Sequence, residues 1–241
     1  MNKQPTETNA GSQWTNLFKI AGVSAILVTI LGLVEVVVEA TGGVGLTSTP
    51  SSVQGWFLLL QTNPLLGLAN LGIFEIIFFP LGVLMFMGLY FALRRTSESI
   101  AAIATALYFI SATIYFASNN ALTMLNLSNQ YAISTTEAQR TTLLAAGQAI
   151  IAAEQGTGMV MTFFLGSLAS LMVSVIMLKS KTFGKQVAII GIIANLLGLP
   201  GSALGLVVWS LNGILMMVWA VIVGFKLLRI ARNTSKKEVT A

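Results

Sequence analysis

The chain contains no cysteine, no histidine and no aspartate, and only 9% of its 241 residues are charged. Without cysteine there is neither a disulfide nor a thiol nucleophile. Without histidine there is no imidazole acid–base group, and the two absences together remove nearly every zinc or haem site. An aspartyl dyad is impossible, and no Gly-x-Ser-x-Gly elbow is present. No cofactor or metal is expected, and an enzyme is the least favoured class. The scarcity of charge excludes more still, because a soluble domain carries about a quarter charged residues. What is there instead is apolar: 55% hydrophobic residues and a mean hydropathy of +0.84. The composition is that of an all-α, polytopic membrane helical bundle.

A membrane span needs roughly 20 apolar residues to cross a hydrocarbon core about 30 Å thick. The charge-free stretches predict six spans, at 17–41, 66–93, 99–125, 157–178, 184–203 and 206–229. The last two share one uncharged stretch, 186–225. Their turn is placed near Gly201-Ser202, after Pro200, with Asn212-Gly213 a competing break.

The cations set the orientation. Lys3 and Lys19 flank the start of the first span, Arg94 and Arg95 follow the second, and Lys179, Lys181 and Lys185 follow the fourth. Lys226, Arg229, Arg232, Lys236 and Lys237 follow the sixth, and the opposite side holds only Arg140. Six spans with both termini in the cytoplasm satisfy the positive-inside rule at every connection. Residues 1–16 are polar and the apolar stretch after Lys19 is long, so the first span reads as a signal anchor rather than a cleaved leader. The basic tail reads as a topology determinant beside anionic lipid, and a nucleic-acid partner is not expected, since no folded basic domain accompanies it.

Two connections on the outer side are longer than joining requires. Residues 42–65 open with a glycine run after Thr41 that matches a phosphate loop only by chance, because no Lys follows. They continue into Trp56-Phe57-Leu58-Leu59-Leu60, predicted as a short interfacial helix with its aromatics at headgroup depth. Residues 134–154 predict an external amphipathic helix between helices three and four. Ser134-Thr135-Thr136-Glu137 has the pattern of a capping box, and Leu143, Leu144, Gly147, Ile150 and Ile151 form one apolar face.

Ionisable groups inside a span are costly and usually face the bundle interior. Glu35 and Glu39 lie one turn apart on helix one, and Glu75 is placed about nine residues into helix two, near mid-depth, with Pro80 freeing the carbonyl of Ile76. On helix three Tyr108, Ser111, Tyr115, Ser118 and Asn119 recur on one face, and Asn195 and Asn212 add amides on helices five and six. No Lys or Arg lies within the spans to neutralise the acids, but Arg140 on the external helix is a candidate contact for Glu39 or Glu35. These residues predict an outward-facing polar chamber, with Glu35, Glu39, Glu75, Tyr115, Asn119 and Asn195 as binding candidates. The plain alternative is that the amides only tie helices together, at about 1 kcal/mol each. Gly166, Ser170 and Ser174 form a small-residue ridge on helix four that suits a close helix neighbour, including a membrane protein partner.

Several runs resemble a known family: Tyr90-Phe91-Ala92-Leu93-Arg94-Arg95, Tyr115-Phe116-Ala117-Ser118-Asn119 and Ser128-Asn129-Gln130-Tyr131-Ala132. Thr135-Thr136-Glu137-Ala138-Gln139-Arg140, Ala145-Ala146-Gly147-Gln148-Ala149, Gly156-Thr157-Gly158 and Met177-Leu178-Lys179-Ser180-Lys181-Thr182-Phe183-Gly184 extend the likeness. Over roughly residues 65 to 200 the chain resembles a bacterial and archaeal family of six-helix membrane proteins of unknown function, the DUF4386-like group. The resemblance implies six spans and a prokaryotic plasma membrane, and it transfers no catalytic motif. Two functions follow as expectations: a protein binding a small solute, proton or cation in the polar chamber, or a non-catalytic sensor, assembly factor or complex subunit acting through protein or lipid partners.

Overall fold

The computed structural model describes residues 7–41, 50–154, 156–200 and 205–239, and over these the chain is helical with no strand. The helices are α1 Glu7–Thr41, α2 Val53–Thr62, α3 Pro64–Asn70, α4 Glu75–Leu93 and α5 Glu98–Ser118. They continue as α6 Ala121–Ile133, α7 Glu137–Glu154, α8 Thr157–Met177, α9 Lys185–Gly198 and α10 Leu206–Val239. Among the described residues, five stretches are long and apolar enough to cross a membrane: Trp14–Thr41, Glu75–Leu93, Glu98–Ile133, Glu137–Met177 and Val207–Ser235.

Three of the expected spans differ. The stretch 66–93 is broken between Asn70 and Glu75, because Gly72 adopts φ +76, a left-handed conformation no helix interior accommodates. The stretch 99–125 is interrupted at Asn119-Asn120, and a second helix, α6, runs on to Ile133. Asparagine side chains compete for backbone partners and favour such breaks. In the fifth expected span, 184–203, the described residues hold the 14-residue helix α9, about 21 Å of helix, shorter than the other apolar stretches. The turn expected near Gly201-Ser202 and the glycine run from Gly42 to Gly45 lie outside the described residues.

The chain divides into two compact units, one of residues 1–30, 80–110 and 164–241, the other of 31–79 and 111–163. The first unit has an apolar core in which Phe18, Ala21 and Ala25 meet Phe86, Leu89, Val173, Trp219 and Val223. Phe86 stacks on Tyr108 with ring centroids 4.1 Å apart. Asn212 Nδ2 donates to the Ala194 carbonyl at 2.7 Å, tying α10 to α9.

The second unit contains a smaller core built by α2, α3, α6 and α7. Trp56 and Phe57 are buried there beside Leu60, Ala121 and Met124, so the aromatics of the Trp56–Leu60 run fill a protein core instead of facing lipid headgroups. Helix α2 has its apolar residues on the inward face and leaves Leu58 outward. Ser128 Oγ donates to the Phe57 carbonyl at 2.9 Å, and Gln61 Nε2 donates to the Ser128 carbonyl at 3.0 Å.

Helix α7 coincides with the expected amphipathic helix, and Leu143, Leu144, Ile150 and Ile151 pack on the small core. A Cβ on Gly147 would sit 2.6 Å from Val53 Cγ1, so this glycine lets α7 lie directly on α2. The capping box is displaced by two residues from Ser134–Glu137. Thr136 Oγ1 accepts from Gln139 N at 3.2 Å, while Gln139 Oε1 accepts from the Thr135 and Thr136 amides, each at 3.3 Å. Ser134 instead donates back to the Tyr131 carbonyl at 2.7 Å and closes α6.

Candidate functional site

The polar residues of the second unit converge on the break between α3 and α4. Because Gly72 takes a left-handed conformation, the Leu71 and Gly72 carbonyls turn away from the helical ladder and need other donors. Helix α5 supplies them. Tyr115 Oη donates to the Gly72 carbonyl in a short hydrogen bond. Asn119 Nδ2 donates to the Leu71 carbonyl at 2.9 Å, to Tyr115 Oη at 2.9 Å and to the Gly72 carbonyl at 3.2 Å. Asn119 Oδ1 then accepts from the Ala121 amide at 3.2 Å, at the start of α6. Tyr115 is only 1% exposed, and its ring stacks on Phe79 at 4.5 Å. One Tyr–Asn pair thus holds two helix breaks together.

Glu75 opens α4, in the first turn after this break, rather than lying in the middle of a longer helix. Its carboxylate faces the same point: a Cβ placed on Gly72 would lie 3.3 Å from Glu75 Oε2 and 3.2 Å from Asn119 Nδ2. The carboxyl groups of Glu35 and Glu75 lie within hydrogen-bonding reach of each other, with Glu39 and Glu154 close enough to act on the Glu75 carboxylate electrostatically. Glu75 Oε2 is sealed from solvent and receives no hydrogen bond. An ionised Glu35 has no proton to give it, since a carboxylate only accepts. Among the described residues, no cationic side chain contributes to the surroundings of either residue. Two carboxyl groups in contact need one proton, or one cation, between them.

Glu154 is the residue that sequence reasoning left outside the site. It closes α7, and its Oε1 accepts from the Asn120 amide at 3.3 Å at the start of α6. Its proximity arises only because α7 folds back along α6, and the adjacent Asn119-Asn120 pair is the one sequence signal that a helix break needs a capping acceptor. Among the described residues, no group of three or more His, Cys, Asp or Glu side chains is placed to hold a metal ion.

The remaining predicted residues are elsewhere. Arg140 reaches neither Glu35 nor Glu39; its guanidinium donates to the Ser134 carbonyl at 3.4 Å. It sits in the first turns of α7, and Glu154, the acid that α7 brings to the site, is 14 residues further on, about 21 Å along the helix. Asn195 belongs to the other unit, where it is 1% exposed and donates to the Gly191 carbonyl one turn back at 2.7 Å. On the small-residue ridge, Ser170 and Ser174 are buried in that same unit, and a Cβ on Gly191 of α9 would collide with Ser174 Oγ. That part of the ridge receives a helix of its own chain.

No family model, curated protein or solved structure matches this chain.

Proposed function

We propose that the protein is a prokaryotic plasma-membrane protein with six spans and both termini cytoplasmic. In this reading it binds a proton or a small cation at the Glu35–Glu75 pair, in an outward-facing polar site roofed by α2, α6 and α7. The membership suggested by the DUF4386-like motifs belongs to the same proposal. The membrane part is supported by five long apolar helices and by the large apolar side chains that α1 leaves exposed at Ile20, Val23, Leu27, Ile30, Val34 and Val37. Spaced three, four or seven residues apart, they suit contact with lipid.

The single observation that carries the binding reading is the buried, undonated Glu75 Oε2 beside a second carboxyl group, with no cationic side chain next to it among the described residues. Leaving such an atom unpaired costs about 1–3 kcal/mol, and a bound proton or cation removes that cost. Absence of a denser carboxylate cluster among the described residues favours a proton or a singly charged ion over a chelated divalent one.

The test is thermal unfolding of the full-length protein in detergent, across pH and with sodium, potassium or choline as the chloride salt. The wild type should melt at a temperature that depends on pH or on the alkali cation, and a ligand at a hundred times its Kd adds about 2.7 kcal/mol. Glu75→Gln and Glu35→Gln should each flatten that dependence. A Glu75→Gln protein with the wild-type profile would count decisively against the site.

A further inference from the structure

A second polar feature lies in the first unit, far along α10 from its start. Helices α9 and α10 run antiparallel: Asn212 meets Ala194, and Trp219 approaches Gly191. Continuing that register brings Lys226 and the turn of α10 after it level with the short segment 178–184 that precedes α9. There Lys181, Lys226 and Arg229 line one concavity of about 470 Å³, together with Thr182, Asn233 and Thr234. Three cations drawn from two separate elements face the same space, and among the described residues none of them is ion-paired. Like charges brought together without a carboxylate repel one another, and an anion in the concavity relieves this.

The neighbouring surface specifies what kind of anion. Along α10, Val207, Leu211, Ile214, Val218 and Phe225 are exposed. They are spaced by four, three, four and seven residues, so they form a single stripe. Arg229, four residues past Phe225, is next on that stripe, and it is also a wall of the concavity. An apolar strip therefore ends directly in a cluster of cations, which is the outline of a phospholipid: acyl chain on the strip, phosphate at its end.

We propose that Lys181, Lys226 and Arg229 hold the phosphate of an anionic phospholipid whose acyl chain lies along α10 past Phe225 and Val218. A free phosphate would use the cations but leave the strip without a role. A general attraction of basic tails to anionic membrane would use every cation at this end equally. The site is independent of the Glu35–Glu75 pair and stands or falls without it.

The experiment is native mass spectrometry of the purified full-length protein with phosphatidylglycerol and phosphatidylcholine at equal concentration, with and without millimolar inorganic phosphate. The wild type should retain phosphatidylglycerol in preference to phosphatidylcholine, and inorganic phosphate should not displace it. The triple variant Lys181→Gln/Lys226→Gln/Arg229→Gln should lose affinity by about fivefold per cation removed. A matched triple variant outside the concavity, Lys179→Gln/Lys185→Gln/Arg232→Gln, should retain the lipid as the wild type does. Equal retention of the two lipids by the wild type overturns the proposal. So does equal loss in both triple variants, which would mean diffuse attraction, and so does displacement by inorganic phosphate, which would mean a soluble anion. If the first triple variant does not fold, the wild-type lipid preference and phosphate competition decide alone.

Discussion

Gly72 shows how much one residue controls here. Its positive φ ends α3, exposes two carbonyls, and thereby creates the demand that Tyr115 and Asn119 meet. A side chain at this position meets both a strained backbone and three polar groups packed around the Cβ position. Gly72→Ala should lower stability by about 1–3 kcal/mol, measured by denaturant unfolding in mixed micelles. Tyr115→Phe removes the hydroxyl but leaves the ring on Phe79, so it should cost about 1 kcal/mol, less than the glycine substitution. A larger loss from Tyr115→Phe than from Gly72→Ala would mean that the turn does not depend on its glycine. At this scale the acids were legible: a carboxylate in an apolar stretch with no cation stands out in any sequence. The glycine was not, because glycine is common in membrane helices and its φ depends on partners from α5.

Among the elements, the apolar face of α7 was legible, since an amphipathic period needs no tertiary information, but its first residue was not. Its cap was read two residues early. Ser134-Thr135-Thr136-Glu137 and Thr136-Glu137-Ala138-Gln139 both fit the box pattern, and the choice between them was made by α6, whose last turn takes the Ser134 hydroxyl. Thr136→Ala should therefore weaken the first turn of α7 by about 1 kcal/mol, seen as faster hydrogen exchange at the amides of residues 138–140. Ser134→Ala should leave those amides unchanged; the reverse pattern would restore the earlier cap. Contact between α7 and α2 rests on Gly147, and Gly147→Leu should cost about 1–3 kcal/mol by overpacking against Val53 and Phe57.

For the whole molecule, the formal net charge of +5 conceals an uneven distribution. In the proposed six-span topology every cation except Arg140 falls on the cytoplasmic side, whereas Glu35, Glu39, Glu75, Glu137 and Glu154 fall in the spans or on the other side. The absence of native cysteine makes that topology directly measurable. Thr96→Cys and Thr135→Cys occupy exposed positions on connections of opposite expected side. A membrane-impermeant thiol reagent added to intact cells should label only Thr135→Cys. Labelling of both, or of Thr96→Cys alone, would overturn the proposed orientation.

The sequence by itself determined the solvent of this protein, the helical class, the apolar stretches, the amphipathic α7 and the isolated acids. All of these are local: they follow from composition, from charge spacing and from the period of a helix. Tertiary structure alone decided where two of those stretches break, which carboxyl groups meet, that Glu154 joins them while Arg140 does not, and that Lys181 shares a concavity with Lys226 and Arg229. Each of these depends on which distant segment supplies a donor, an acceptor or a like charge, and spacing along the chain carries no record of that.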